Sequence, residues 1–239
     1  EIELAYRFKG DSRIIGITGS NGKTTTTALM YHICKKAEMD CALVGNIGYS
    51  FARQVAEDPK QLYVAEVSSF QLDDIKTFRP DIAILTNITE DHLDRYEFKF
   101  ENYIRSKFRI AMNQRPGDHF IYCADDEVTM KYISDPKTIG FNILSNQLPI
   151  SMRTELSKGA FIKDGDMYVR TGEDFTSMSV FDFALKGKHN QYNTMAACVA
   201  GATMDIRKDK IREAVQDFQG LEHRMEFVAT IRGIEFIND

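Results

Sequence analysis

The stretch from residue 14 to residue 27 constrains the fold more than any other part of the chain. Its first four residues, 14–17, are apolar and β-branched apart from one glycine, which is typical of a buried parallel strand. A turn over 18–22 follows, and residues 23–36 are predicted to form a helix. A helix that begins at such a turn presents free backbone N–H groups and the positive end of its dipole. The stretch therefore predicts an anion-binding site.

The turn is a variant of the phosphate-binding loop. Its residues read Gly-x-x-Gly-Lys-Thr, whereas the strict pattern needs a glycine five positions before Gly22, where this chain has Ile17. In loops of this kind the lysine reaches the β- and γ-phosphates and the threonine hydroxyl binds Mg²⁺. These roles would fall to Lys23 and Thr24. The alternative is a simple glycine turn followed by a surface lysine.

Composition excludes several classes of protein. The 239 residues carry a net charge of −5, which argues against a nucleic-acid-binding surface. The four cysteines are far apart and form no Cys-x-x-Cys pair, so we expect free thiols in a reducing cytoplasm. No apolar run approaches the ~18 residues of a membrane span, and no signal peptide is visible. We expect no nucleic-acid or membrane partner.

Strands and helices alternate along most of the chain, which predicts an α/β fold with a mostly parallel sheet flanked by helices on both faces. Between residues 142 and 183 polar and apolar residues alternate, which predicts a small antiparallel β appendage. Further strands are predicted over 41–44, 62–67, 81–86, 119–123 and 137–141, and further helices over 100–112, after a cap at Asp125, over 189–204 and over 208–218.

Ligands of open α/β sheets bind beyond the carboxyl ends of the strands, so the residues that follow each strand are candidates. Glu66 ends an apolar strand, where an unpaired carboxylate would cost several kcal/mol, so it binds either a metal ion or a lysine. His92 is either a ligand or a capping or core histidine, and Asn46 is either a ligand or a turn residue. The polar residues in these positions are Lys23, Thr24, Asn46, Glu66, Ser68, Gln71, Asn87, Thr89, Asp91 and His92.

Three further positions leave two interpretations open. Lys107 shares a helix face with apolar residues, so it is snorkelling to water or is neutralised, paired or modified. Asn190 and Asn193 lie three residues apart at a predicted helix start, where they could read an adenine edge or cap the helix. Arg224 could bind phosphates or form a surface ion pair.

Taken together, these motifs resemble the Mur ligase family, the ATP-dependent amide-forming enzymes of peptidoglycan precursor synthesis. The resemblance covers nearly the whole chain, and the shorter loop spacing is normal for that family. The runs 68–72 and 87–96 are most similar to the members that add D-glutamate. The motifs are Thr18 to Thr24, Gly45 to Gly48, Glu66 to Leu72, Thr86 to Tyr96, Tyr103 with Lys107, His189 to Asn193, and His223 to Glu226.

The resemblance implies an enzyme of three domains, of which this chain covers the central one. Residues 1–10 would be a linker from an N-terminal UDP-binding domain, 11–221 the ATP-binding domain, and 222–239 the start of a C-terminal D-glutamate-binding domain. The chain begins without methionine and stops after an apparent strand at 234–237, so we expect a piece of a longer protein.

The resemblance also implies a role for each site residue. Lys23, His92 and Lys107 would be catalytic, with Lys107 carbamylated so that an ammonium becomes a carboxylate suited to Mg²⁺. Two Mg²⁺ ions would be held by Thr24, Glu66, His92 and the Lys107 carbamate. The substrate would contact Asn46, Ser68, Gln71 and His92. ATP would be bound by Gly19, Ser20, Asn21, Gly22, Lys23, Thr24, Thr25, Asn190, Asn193, Arg224 and Asp239.

The implied reaction adds D-glutamate to UDP-N-acetylmuramoyl-L-alanine through an acyl phosphate, giving ADP and phosphate, and we expect a monomer. Two alternatives remain open at this stage. One is another ligase of the superfamily, such as a folylpolyglutamate synthetase-like enzyme. The other is a non-catalytic nucleotide-binding module that has kept the fold.

Overall fold

A single mostly parallel sheet organises the part of the chain that the structure describes. The computed structural model describes residues 1–172, 174–220, 226–231 and 234–238, and side chains up to 172 and over 176–220. The strands are β1 (Arg13–Thr18), β2 (Cys41–Gly45), β3 (Leu62–Glu66), β4 (Ile82–Leu85), β5 (His119–Cys123), β6 (Asn146–Ser151), β7 (Gly159–Lys163), β8 (Asp166–Thr171), β9 (Asp174–Ser179), β10 (Glu226–Ile231) and β11 (Ile234–Asn238).

Eight α-helices accompany these strands in the described residues. Short 3₁₀ turns lie at 93–96, 109–111, 136–138 and 180–182. The helices are α1 (Ile2–Phe8), α2 (Lys23–Lys36), α3 (Phe51–Glu57), α4 (Ser69–Asp73), α5 (Phe100–Phe108), α6 (Glu127–Ser134), α7 (Lys188–Thr203) and α8 (Lys208–Asp217).

The order of the strands brings the ends of β1, β3, β4 and β5 to one edge. In the described residues the main sheet has the order β2-β3-β1-β4-β5-β6-β7-β8-β9, and every pairing from β2 to β7 is parallel. Within the described residues of this main sheet, only the pairs β7–β8 and β8–β9 are antiparallel, and β10 and β11 form a separate antiparallel pair. The predicted α/β fold with a mostly parallel sheet and antiparallel strands is confirmed.

Both faces of the sheet are covered by helices, so its central strands are apolar on both sides. In β1, Ile15 and Ile17 belong to a core that includes residues of α2, α7 and α8. Ile14 belongs to the opposite core, which includes residues of α1, α3, α4, α5 and α6. Helices α2 and α7 pack on the same face, so this burial fixes the loop that follows β1 and the start of α7 at the same edge of the sheet.

The strand predicted over 137–141 is wrong. Residues 136–138 form a 3₁₀ turn, in which the Asp135 carboxylate accepts a hydrogen bond from the Lys137 amide at 3.2 Å. Gly140 then has a φ of +85°, which breaks any extended run. On the side of β5 that faces away from β4, the next strand is β6. The sheet is therefore continued by residues that were predicted to belong to the appendage.

The cap predicted at Asp125 is also wrong by one residue. Asp126 is the N-cap of α6, and its carboxylate accepts a hydrogen bond from the Thr129 amide at 3.1 Å. Asp125 turns instead towards the end of β6. The helix predicted over 100–112 is nearly right, since α5 ends at Phe108 and continues as a 3₁₀ turn.

The antiparallel strands β7 to β9 are continuous with the parallel sheet and do not form a separate layer. The β7–β8 turn has Asp164 at φ +53° and Gly165 at φ +84°. Two consecutive residues with positive φ are typical of a type I′ hairpin turn, whose twist matches that of the flanking strands. The Asp-Gly pair that the sequence has at this turn is one that such turns favour.

Helix α1 packs into the opposite core, the one that contains Ile14, although residues 1–10 were predicted to be a linker. Ile2 and Ala5 are buried in that core. The Glu3 carboxylate accepts hydrogen bonds at 2.9 Å from the amides of residues 76, 77 and 78, which lie after α4. The division of the chain into three domains remains a prediction.

We expect Glu3→Ala to lower the free energy of unfolding by about 1–3 kcal/mol, because three backbone amides lose a charged acceptor. Burial opposes ionisation, but the Thr77 hydroxyl and the three amides lower the pKa of Glu3 to about 2. The contribution is therefore full above the ordinary carboxylate pKa of 4.5 and is lost as the pH falls towards 2. Urea unfolding at two pH values measures it. Glu57→Ala, on the exposed face of α3, is the control and should change little.

Candidate active site

The loop between β1 and α2 has the backbone of a ligand cradle. Gly22 has a φ of +79° and is the N-cap of α2, whose first residue is Lys23. A side chain at Gly22 would collide with the Asn193 amide, and one at Gly19 would collide with the Thr86 hydroxyl. Both glycines are therefore required by close packing as well as by backbone conformation.

The loop is held in place by the segment that follows β4. The Ser20 hydroxyl donates to the Thr89 carbonyl at 2.9 Å and accepts from the Thr89 amide at 3.0 Å. The Asn21 amide donates to the side-chain oxygen of Asn87 at 3.0 Å, and the Thr86 hydroxyl donates to the Asn21 carbonyl at 2.6 Å. The cradle is thus fixed before any ligand arrives.

Lys23 and Thr24 lie at the first turn of α2, on the cradle. The Lys23 ammonium donates to the Ser20 carbonyl at 2.7 Å, so the side chain lies along the loop. Thr24 is buried, and Thr25 is half-buried. The positive end of α2 and the Lys23 charge together favour an anion at this position.

Glu66 and Asn46 are brought together at the ends of β3 and β2. Glu66 is 1% exposed, and its Oε1 accepts a hydrogen bond from the Asn46 side-chain amide at 2.8 Å. Its other carboxylate oxygen is buried and has no hydrogen-bond partner among the described residues. A buried carboxylate oxygen in that state is suited to a cation.

Lys107 is buried, so the snorkelling alternative is wrong. It is 2% exposed, its Nζ lies 3.3 Å from the Thr18 hydroxyl, and it lies 5.3 Å from the centre of the Tyr103 ring. Burial, together with the positive charge of Lys23, lowers the pKa of Lys107 to about 7, against the attraction of nearby carboxylates that include Glu66. A large part of this lysine is therefore uncharged at neutral pH.

His92 is placed at the open side of the site. Its side chain is 53% exposed, and its backbone has a φ of +50°. The centre of its ring lies 5.0 Å from that of Phe70, and its Nε2 lies 3.5 Å from an Asp91 carboxylate oxygen. No group of three or more His, Cys, Asp or Glu side chains in the described residues is arranged to hold a metal ion. Mg²⁺ commonly takes only one or two carboxylates and completes its shell with water and phosphate oxygens.

Ser68 and Gln71 form a reciprocal cap at the start of α4. The Ser68 hydroxyl accepts from the Gln71 amide at 3.2 Å, and the Ser68 amide donates to the Gln71 side-chain oxygen at 2.9 Å. This arrangement satisfies the free N–H groups of the helix. Ser68 and Gln71 follow Glu66 closely in the sequence, and the cap holds both of their side chains in place.

A cavity of about 510 Å³ opens between the loop and the start of α7. Asn193 is 6% exposed and donates to the Asn190 side-chain oxygen at 3.2 Å, and Asn190 donates to the Lys186 carbonyl at 2.9 Å. Neither amide caps α7 at its first residue. The lining residues are Asn21, Gly22, Thr86, Asn87, Thr89, Cys123, Asp125, Asp126, Arg153, His189, Tyr192 and Asn193.

The sequence did not single out Asp125, Arg153 and Tyr192 as site residues, yet all three line this cavity. Asp125 follows β5, so the strand-end rule that selected Glu66 would also have found it. Arg224 and Asp239, predicted to bind ATP, lie outside the described residues.

Residues 17–201 match the sequence profile of the Mur ligase middle domain. The chain belongs to the Mur ligase family. This Mur ligase chain is 46% identical over 239 residues to UDP-N-acetylmuramoylalanine--D-glutamate ligase of Christiangramia forsetii and 47% identical to that of Bacteroides fragilis. Each match covers 100% of this chain and 52% of the relative, so the chain spans about half the length of the curated relatives it matches.

Solved structures of Mur ligases share the fold. MurF of Thermotoga maritima in complex with ADP has a TM-score of 0.72 at 17% identity, over 99% of this chain and 56% of that one. MurF of Acinetobacter baumannii has a TM-score of 0.72 at 18% identity, over 99% of this chain and 53% of that one. In the described residues of this Mur ligase chain, no helix is long and apolar enough to cross a membrane.

Proposed function

We propose that this chain is the ATP-binding part of a ligase that joins D-glutamate to UDP-N-acetylmuramoyl-L-alanine. The observation that carries the proposal is the pair of buried groups beside the phosphate loop. Lys107 is close enough to Lys23 and Glu66 to feel both charges, and Glu66 keeps one carboxylate oxygen unpartnered among the described residues. Relatives at 40–47% identity that carry this name supply the choice of substrates.

The loop would hold the phosphates of ATP. Lys23 and the N-terminus of α2 neutralise charge on the β- and γ-phosphates as the γ-phosphoryl group moves. Asn190 and Asn193 face the adenine from α7. Arg224 and Asp239 would close over the nucleotide from the C-terminal side, as the family resemblance implies.

Thr24 and Glu66 would hold one Mg²⁺, and His92 with a carbamylated Lys107 would hold a second. The Thr24 hydroxyl and the unpartnered Glu66 oxygen are oxygen donors of the kind that Mg²⁺ prefers. Bound there, the ions supply positive charge to the phosphate oxygens. A neutral Lys107 amine is the form that reacts with carbon dioxide, which fits the lowered pKa.

The reaction would proceed in two steps. The L-alanyl carboxylate attacks the γ-phosphorus, the bond to the bridging oxygen breaks, and ADP leaves with that electron pair. The amine of D-glutamate then attacks the acyl carbon of the acyl phosphate, loses a proton, and expels phosphate. Asn46, Ser68, Gln71 and His92 would orient the muramoyl-alanine end, so that its carboxylate faces the phosphate on the loop.

The remaining parts of the proposal follow the family resemblance. The whole protein would be a cytoplasmic monomer of three domains, and the first and last would bind the UDP group and D-glutamate. Because this chain would lack those domains, we expect no ligation by the chain alone.

The test is an ADP-release assay on the full-length protein with ATP and Mg²⁺. We expect ADP release that requires both UDP-N-acetylmuramoyl-L-alanine and D-glutamate, and a product of their combined mass. L-Glutamate in place of D-glutamate is the control. ADP release with a folate and L-glutamate, but not with the muramoyl substrate, would show that the enzyme is a different ligase of the superfamily. ATP binding without any turnover would favour a nucleotide-binding module.

A further inference from the structure

Asp125 lies at the end of β5, where it joins three elements around the cavity. Its Oδ1 accepts a hydrogen bond from the Ser151 hydroxyl at 2.7 Å, and its Oδ2 accepts from the Met152 amide at 2.7 Å. Oδ2 also accepts from the Tyr192 hydroxyl at 2.8 Å. A single carboxylate therefore connects the ends of β5 and β6 to the first turns of α7.

Tyr192 lies between two asparagines of α7, of which Asn193 lines the cavity and Asn190 accepts a hydrogen bond from Asn193. It lies two residues after Asn190 and one before Asn193, and its ring packs against the core below α7. Its hydroxyl is the point at which this turn of α7 is held to Asp125. A charged acceptor makes that bond about twice as strong as a neutral one.

The same turn of α7 also touches the phosphate loop. The Asn193 amide packs so closely on Gly22 that a side chain there would collide with it. A nucleotide whose phosphates occupy the loop would have its nucleoside in the adjoining cavity, whose volume of about 510 Å³ suits such a group. Any shift of α7 would move the amides away from the base while the loop stayed fixed by the segment after β4.

We propose that Asp125 and Tyr192 are positioning residues that anchor α7 for recognition of the nucleobase of ATP. The carboxylate holds the phenol, the phenol holds the first turns of α7, and Asn190 and Asn193 are thereby aimed at the base. The anchor acts on the nucleoside end of the ligand and leaves the phosphate end unchanged. The inference rests on the proposed function in one respect, namely that this cavity takes ATP.

The test compares two ligands on the same variants. ATP reports on both ends of the site, whereas inorganic tripolyphosphate reports on the phosphate loop alone. We expect Tyr192→Phe to weaken ATP binding about three- to tenfold, because one hydrogen bond to a carboxylate is lost. Binding of tripolyphosphate should stay within about twofold of the parent, since the loop contacts remain. Isothermal titration calorimetry measures both affinities.

Tyr63→Phe is the matched control. In the parent protein the Tyr63 hydroxyl accepts a hydrogen bond from the Lys60 amide at 3.0 Å. This bond lies at the start of β3, at the opposite end of the sheet from the cavity. Tyr63→Phe removes a buried hydroxyl in the same way but should leave both affinities unchanged. Asp125→Asn keeps an oxygen that can accept from the Tyr192 hydroxyl but removes the charge, so it should weaken ATP binding less than Tyr192→Phe does. The double variant should be little worse than Tyr192→Phe alone, because the charge of the acceptor matters little once the hydroxyl is gone.

The outcomes separate this inference from the proposed function. If the parent protein does not bind ATP, the proposed function fails. If the parent binds ATP and Tyr192→Phe binds it equally well, the anchor is refuted. An equal loss of ATP and tripolyphosphate binding by Tyr192→Phe would also refute it, because the effect would then be a general loss of structure. Should Asp125→Asn fail to fold, Tyr192→Phe decides alone, since it keeps the Ser151 and Met152 bonds.

Discussion

Replacement of Lys23 by alanine is expected to lower turnover of the full-length protein about 100- to 1,000-fold or more. Lys23 is the cation at the first turn of α2, and the reaction concentrates negative charge on the phosphate it would contact. Removal of one such preorganised donor costs about 3–4 kcal/mol of transition-state stabilisation in comparable sites. Affinity for ATP should fall as well, because charge-assisted contacts to phosphate are among the stronger hydrogen bonds.

The measurement is steady-state ADP release together with ATP binding. The Lys23 ammonium donates to the Ser20 carbonyl of its own loop, so urea unfolding of the variant is measured alongside as a check on the fold. Lys35→Ala is the control, because Lys35 is exposed near the C-terminal end of the same helix. Turnover of Lys23→Ala equal to that of the parent would contradict the catalytic interpretation of the loop.

Lys107→Met is expected to have opposite effects on stability and activity. The folded state holds Lys107 with a pKa of about 7, whereas the unfolded chain keeps the ordinary value near 10.5. Between these values the unfolded chain binds more protons than the folded one, so the free energy of unfolding rises with pH across this window. Methionine fills nearly the same space without a charge. The variant should therefore be more stable than the parent at pH 7, by roughly 4 kcal/mol.

This gain should shrink as the pH rises and should be small near pH 10.5, where both states of the parent hold a neutral amine. Urea unfolding at several pH values, with carbon dioxide excluded, measures it. Lys137→Met is the control, because Lys137 is exposed and should show no such dependence. A gain that did not vary with pH would show that packing, and not the charge, is responsible.

The same variant is expected to abolish most turnover, because it removes the group proposed to become a carbamate. Carbon-13 bicarbonate should give a carbamate signal in the parent protein and none in Lys107→Met. Turnover of the parent should fall when carbon dioxide is removed and return when bicarbonate is added. A fully active Lys107→Met variant would exclude any catalytic role for this lysine.

Much of the site could be predicted because its signals are local. The glycines of the loop are required by backbone conformation and close approach, and they stand next to Lys23 in the sequence. Glu66 was recognised because a carboxylate at the end of an apolar strand needs a partner. The helical spacing placed Lys107 on an apolar face but left open whether its side chain snorkels to water, and only the structure shows that the residue is buried.

The errors arose where a local pattern competed with the tertiary fold. Residues 137–141 are apolar enough for a strand, but the Asp135 cap and Gly140 impose a turn. Strand β6 contains Pro149, which lacks an N–H and argues against a central strand, yet it pairs with both β5 and β7. Asp125 and Asp126 are adjacent, and the sequence does not show which of them caps α6. Their roles depend on β6 and α7, which lie far away in the chain.

The contact between Gly22 and Asn193 has a consequence for the length of ligand that the cavity would accept. Because the Asn193 amide packs directly on Gly22, the distance from the loop to the first turns of α7 cannot shorten. The phosphate loop and the first turns of α7 are then held at one separation, which suits one distance between the phosphates and the base of a nucleotide. We expect a ligand in which that distance is longer or shorter to bind correctly at one end of the cavity and not at the other.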